Sequence, residues 1–104
     1  MRTLLKYQIP VEAGNEAIRN GKIAQINETL MGRIKPEAVY FFTENGLRSG
    51  FIVFDLDDPS QIPMIAEPLY QELNASVEFF PVMNADDLQK GLIALMQAGQ
   101  QAQG

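Results

Sequence analysis

Cysteine, histidine and tryptophan are all absent from this 104-residue chain, and each absence removes a class of chemistry. Without cysteine there is no disulfide framework, thiolate nucleophile or thiolate-ligated metal cluster. Without histidine there is no imidazole base, no Ser-His-Asp triad and no histidine ligand for zinc or haem. Basic residues are scarce too: 8 Lys and Arg against 13 Asp and Glu leave a net charge of −5. Such a chain lacks the basic footprint needed to neutralise phosphates, so no nucleic-acid partner is expected. No run approaches the roughly 18 consecutive apolar residues of a membrane span, and Met1 to Tyr7 contains Lys6 and no signal-peptide core. The expectation is therefore a cytoplasmic chain with no membrane partner, and the lack of cysteine suits a reducing compartment. Gly14, Gly21 and Gly32 match neither dinucleotide nor P-loop spacing, and no cofactor is expected.

What remains is an ordinary globular composition, 46% hydrophobic, enough for one domain over residues 1–96 followed by a polar tail, 97–104, expected to fray. Thr3 to Ile9 alternates as a strand, with Leu5, Tyr7 and Ile9 on one side, and Pro10 stops it. From about Gly14 to Met31 the apolar spacing changes to three and four, through Ile23, Ile26, Leu30 and Ile34, which predicts an amphipathic helix with a break at Asn20-Gly21. Ala38 to Thr43 and Gly50 to Phe54 are β-branched and aromatic, and the Asn45-Gly46 between them predicts a tight hairpin. A two-residue turn sets Tyr40 opposite Phe51; a three-residue loop with a bulge sets Tyr40 opposite Ile52 and reverses which way each aromatic faces.

Asp58-Pro59-Ser60-Gln61 carries the marks of a helix start, with Asp58 as N-cap and Gln61 reaching back. Pro63 and Pro68 predict an irregular first turn and a kink in the helix that runs to Leu73. Val77 to Val82 is a fourth strand, at whose end or on whose edge Pro81 sits. Asn84 caps a last helix with a stripe of Leu88, Leu92, Leu95 and Met96. The order β-α-β-β-α-β plus a terminal helix is the ferredoxin-like arrangement: an α+β fold with a four-stranded antiparallel sheet and both crossover helices on one face.

That arrangement leaves the other face bare. It carries Leu4, Lys6, Gln8, Glu78, Phe80 and Val82, plus aromatics from the hairpin in either register, with Lys6 and Glu78 facing each other as a cross-strand ion pair. Burying four large apolar side chains is worth roughly 6–12 kcal/mol, so such a face calls for a cover. The expected cover is a second copy in a homodimer formed through the sheet face. The competing cover is the chain's own terminal helix, folded under.

The stretches Lys35 to Phe42, Gly50 to Asp58, Ile65 to Pro68 and Val77 to Met83 resemble those of small, uncharacterised bacterial proteins similar to the dimeric α+β-barrel superfamily, which includes muconolactone isomerase-like and antibiotic-biosynthesis monooxygenase-like proteins. The resemblance spans roughly residues 3 to 95 in element order. It implies a dimeric α+β barrel and a small-molecule pocket between sheet and helices; the histidines and tryptophans used by some of its enzymes are absent, so their activities do not carry over.

Candidate site residues follow. If Phe51 and Val53 face the helices, Asp55 joins Tyr7 on the pocket side, and Glu67 beside Pro68 approaches the same space. A carboxylate against apolar walls has a raised pKa and can act as a general base; the alternative is a hydrogen bond at the end of a core. Arg48 either clamps an acidic ligand or pairs with Glu44 across the hairpin. Asp55, Asp57 and Asp58 lack the spacing of a calcium loop, which favours a capping role for Asp57 and Asp58, and no metal is expected. Met31, Met64, Met83 and Met96 are expected to fill the core. The chain is thus expected to be a homodimeric module that binds a small hydrophobic ligand or serves a structural role. The alternative is a cofactor-independent isomerase or monooxygenase acting on a small hydrophobic substrate.

Overall fold

The computed structural model describes residues 1–103. Strand β1 (Arg2–Ile9) ends at Pro10, and two helices follow, α1 (Val11–Arg19) and α2 (Lys22–Ile34). The predicted break falls at Asn20-Gly21 and separates them completely. The hairpin β2 (Ala38–Glu44) and β3 (Leu47–Asp55) comes next, then a 3₁₀ turn at Pro59–Gln61 running into α3 (Ile62–Leu73), β4 (Ser76–Pro81) and α4 (Ala85–Gln103). The four strands form one antiparallel sheet in the order β2-β3-β1-β4.

Asn45 and Gly46 both take positive φ, 56° and 76°, so the turn has two residues and Glu44 pairs with Leu47. This settles the register: Tyr40 lies opposite Phe51 and Phe42 opposite Ser49. Leu5 then pairs with Ile52 and Tyr7 with Gly50. Thr3, Leu5, Tyr7 and Ile9, with Ile52 and Phe54, are buried toward the helices, where Ile26 and Leu30 of α2 and Ile65, Leu69 and Leu73 of α3 complete the core. The alternation of β1, buried at every odd residue, is the period-2 pattern of its sequence made physical.

The start of the 3₁₀ turn is as predicted. Asp58 accepts from the Ser60 backbone N–H at 2.9 Å, and Gln61 Oε1 accepts from the N–H groups of Asp57 and Asp58. The hydrogen bonds from Ser60 hold the Asp58 carboxyl below its usual range. Pro68 sits inside α3 and has no N–H to give the Met64 carbonyl one turn back. That carbonyl accepts instead from Arg33 Nη1 of α2 at 3.4 Å. A proline that would orphan an acceptor thus ties two helices together.

The terminal helix does not fold under the sheet. Asn84 and Asp87 cap each other, Asp87 N–H donating to Asn84 Oδ1 at 2.8 Å and Asn84 N–H to Asp87 Oδ2 at 3.1 Å. Arg2 Nη1 donates to Asp87 Oδ2 at 2.9 Å and fixes the root of α4 beside the sheet. Beyond that root the helix projects away from the body, so the molecule extends 65 Å in its longest direction. The helix also runs on through the segment expected to fray, as far as Gln103; residue 104 lies outside the described residues. Of the methionines expected in the core, Met31 packs against it. Met64, Met83 and Met96 are exposed, because they lie on an open groove, a connecting loop and the projecting helix. No helix among the described residues is long and apolar enough to cross a membrane.

Candidate functional site

The four residues singled out from the sequence do not converge. Tyr7 and Arg48 share the helix-facing side of the sheet at one end, one pair apart, since Tyr7 opposes Gly50 and Ile9 opposes Arg48. Asp55 opposes Arg2 at the other end and, with Phe51 and Val53 on the open face, it is displayed on that face as well. Its placement beside Tyr7 depended on the opposite facing of Phe51 and Val53. Asp55 Oδ1 instead accepts from the Met1 amine at 2.6 Å, which lowers its pKa from the ordinary carboxylate value. Glu67 is on the solvent side of α3, accepting from Gln71 Nε2 at 3.2 Å. Neither carboxylate is desolvated, so neither sits against apolar walls as a buried base would.

Arg48 takes a third course, neither clamp nor hairpin pair. Its Nη2 donates to Asn15 Oδ1 at 2.9 Å and its Nη1 to the Val11 carbonyl at 3.4 Å, stitching β3 to α1. The guanidinium lies against Gly14. Glu44 accepts from Lys6 Nζ at 2.8 Å and from Gln8 Nε2 at 3.3 Å. The two donors arch over Ser49, a side chain small enough to pass beneath them. Lys6 and Glu78 do oppose each other in register, but the hydrogen bond goes to Glu44, and this bond is the first cause of the raised Lys6 pKa.

Tyr7 is the one buried titratable group of the original set, 4% exposed, and burial pushes its phenol up to about 12. A phenol whose folded-state pKa exceeds its unfolded value of about 10 stabilises the fold below pH 10 and loses that contribution as pH rises through 10 to 12. Urea titrations of the parent and of Tyr7→Phe at pH 8 and pH 11.5 should show the parent losing about 2 kcal/mol more than the variant. Equal losses would mean the phenol is hydrated.

Two surfaces stand out once these residues are placed. The first is a groove of about 410 Å³ between α2 and α3, floored by Ile26, Leu30, Ile65 and Leu69 and rimmed by Arg33 and Glu72. It lies between helices on the outside of the layer, whereas the superfamily resemblance implied a pocket between helices and sheet. Composition gave no signal for it; Pro68 within a helix, which frees the Met64 carbonyl for another donor, was the one sequence mark of the Arg33 contact at its edge. The second is the open face of the sheet. Tyr40 and Phe51 rings lie 5.2 Å apart and Phe42 and Phe51 5.7 Å apart, with Leu4, Val53 and Phe80 beside them. Lys6, Gln8 and Glu44 bound this apolar centre at the hairpin end. Arg2, paired with Glu37 at 3.2 Å and Asp87 at 2.9 Å, bounds it at the other.

Neither face presents a nucleophile or a general base in a desolvated site, and no group of three or more acidic side chains suited to a metal ion occurs among the described residues. No family model matches the chain, and no curated protein is similar to it.

Proposed function

We propose that this chain is a homodimeric binding or structural module, built on the plan of a ferredoxin-like dimeric α+β barrel, in which two sheets meet through their open faces. The observation that carries this reading is the layout of that face: an aromatic centre with ion-paired rims at both ends, uncovered by any helix among the described residues. An apolar core inside a polar rim is the anatomy of a protein interface, and a two-fold axis makes one such patch complementary to its copy. The groove between α2 and α3, apolar in its floor and polar at its lip, suits a small hydrophobic ligand with one polar end. The catalytic alternative, an isomerase or monooxygenase without cofactor, would need a carboxylate held against apolar walls; Asp55 and Glu67 are both in solvent.

Light scattering of the purified chain at micromolar concentration should give twice 11.6 kDa, and native mass spectrometry should report the same species with any co-purifying small molecule. Tyr40 and Phe80, 61% and 41% exposed on the open face, are the side chains to change. Tyr40→Asp with Phe80→Asp should give monomers with unchanged circular dichroism, because neither side chain belongs to the buried core. A parent chain that stays monomeric at that concentration rejects the reading.

A further inference from the structure

The groove between α2 and α3 has a direction. Arg33, in the last turn of α2, meets Met64, in the first turn of α3, so the two helices run antiparallel along its length. Arg33 and Met64 therefore stand at one end, and Gln25 and Glu72 at the other. Met64 and Glu72 are separated along α3 by about 12 Å, at a rise of about 1.5 Å per residue.

Among the described residues that line the groove, Arg33 is the one cation and Glu72 the one anion. Neither belongs to an ion pair. The pairs among the described residues join Met1 to Asp55, Arg2 to Glu37 and Asp87, and Lys6 to Glu44. The Met64 carbonyl takes one N–H of the Arg33 guanidinium at 3.4 Å; being neutral, it steadies the side chain and leaves the charge uncompensated. The negative terminus of α2 and the positive terminus of α3 meet at this end and offset each other, so the guanidinium is the charge that a head group meets. Glu72 has no such anchor: it is exposed and takes part in no hydrogen bond among the described residues.

Between the two ends the lining is uncharged. Its floor residues are buried, and the apolar surface it shows to water lies at the lip, where Met64 is 58% exposed and Pro68 half-buried. A thioether chain is unbranched and adaptable, suited to folding over an aliphatic tail laid beside it.

We infer that the groove takes a medium-chain alkyl carboxylate, its head group on Arg33 and its tail directed toward Glu72. This deepens the reading of the groove as a ligand site and rests on it, while owing nothing to the dimer. The planar guanidinium fork donates to both oxygens of a carboxylate. One cation, with no second basic residue among the described lining, matches a singly charged head and not a doubly charged phosphate. Glu72 sets the orientation, because a reversed ligand would bring its carboxylate against another one. An alkylammonium would have only the unanchored Glu72 to hold it, and ordering a free side chain costs affinity.

Nuclear magnetic resonance titration of the isotope-labelled full chain with octanoate should give saturable shifts of the backbone amides flanking Arg33 and Met64. Acetate, which lacks the tail, and octylammonium, of opposite charge, should bind more weakly by roughly tenfold, the worth of one hydrogen bond to a charged group. Octyl phosphate should bind no more tightly than octanoate. Arg33→Gln should weaken octanoate binding by roughly tenfold at an unchanged urea midpoint. Arg33→Gln binding octanoate as the parent does, or octylammonium binding as well as octanoate to the parent, overturns the carboxylate inference and leaves an apolar ligand site that does not read its head group. The second comparison decides the matter even if the variant fails to fold. Tighter binding of octyl phosphate assigns the groove to dianions and also overturns the inference. Groove amides that shift with protein concentration alone, before any ligand is added, show a second copy seated there and overturn it as well. No saturable shift at the groove with any of the three alkyl ligands removes the inference and the ligand-site reading together, and light scattering without ligand judges the dimer separately.

Discussion

Leu5→Ala should lower the unfolding free energy by about 3–4 kcal/mol, whereas Leu4→Ala, one residue away, should cost about 1 kcal/mol in dilute protein. Leu5 has no exposed surface. It lies on the central strand between Ile52 and Phe79, with the core residues of α2 and α3 above it. Rigid neighbours on both sides cannot close over the hole, so the loss includes a cavity as well as the transfer of the side chain. Leu4 points the other way, onto a half-covered surface where water replaces the missing methyls. Urea titration of both variants measures the difference. Equal costs at the two positions would mean that the facing of β1 is wrong, and with it every assignment made for the open face.

Gly50→Ala is the second large effect, about 2–3 kcal/mol of destabilisation by overpacking. A β-carbon at this position would lie 2.7 Å from Cζ and Oη of Tyr7. The ring has nowhere to go: it is 4% exposed and is carried by the central strand, opposite Gly50 itself. The clash is therefore with a fixed wall and not with the tip of a mobile chain. Combining Gly50→Ala with Tyr7→Leu should cost at least 1 kcal/mol less than the two single changes together, since the smaller side chain relieves the contact. Additive costs would show that the glycine serves the backbone and not the ring. The pair also explains why a glycine is tolerated within a strand, where it is otherwise a weak choice.

Much of this fold was legible in the sequence because its punctuation is local. Pro10, Asn20-Gly21, Asn45-Gly46 and the Asp58/Gln61 box each fix a boundary through backbone chemistry that needs no distant partner. The candidate site was not legible, and the reason is register. Side chains in a strand reverse their facing at every residue, so the choice between a two-residue turn and a bulged loop decided whether Asp55 joined Tyr7 or left it. Glu67 failed for a related reason: its neighbour Pro68 marks a backbone feature, while the side chain's direction follows the phase of α3 around its axis. Arg48 found Asn15, 33 residues away in sequence, a partner that only the docking of α1 on the sheet supplies. The detachment of α4 was equally hidden, because an apolar stripe has the same spacing whether its own chain or another one covers it.

The outer flank of β2 has a consequence of its own. As a terminal strand of the sheet, it offers a row of unpaired amides and carbonyls along Val39-Tyr40-Phe41-Phe42, four residues with no proline, glycine or charge among them, and Tyr40 and Phe41 are each 61% exposed. Segments of this kind template the addition of further strands and grow into fibrils. Glu37 and Glu44, ion-paired to Arg2 and Lys6, stand at the two ends of that ribbon, where charged side chains oppose the stacking of further copies. Exchanging both for glutamine would remove those charges and leave the ribbon open to strand addition from end to end.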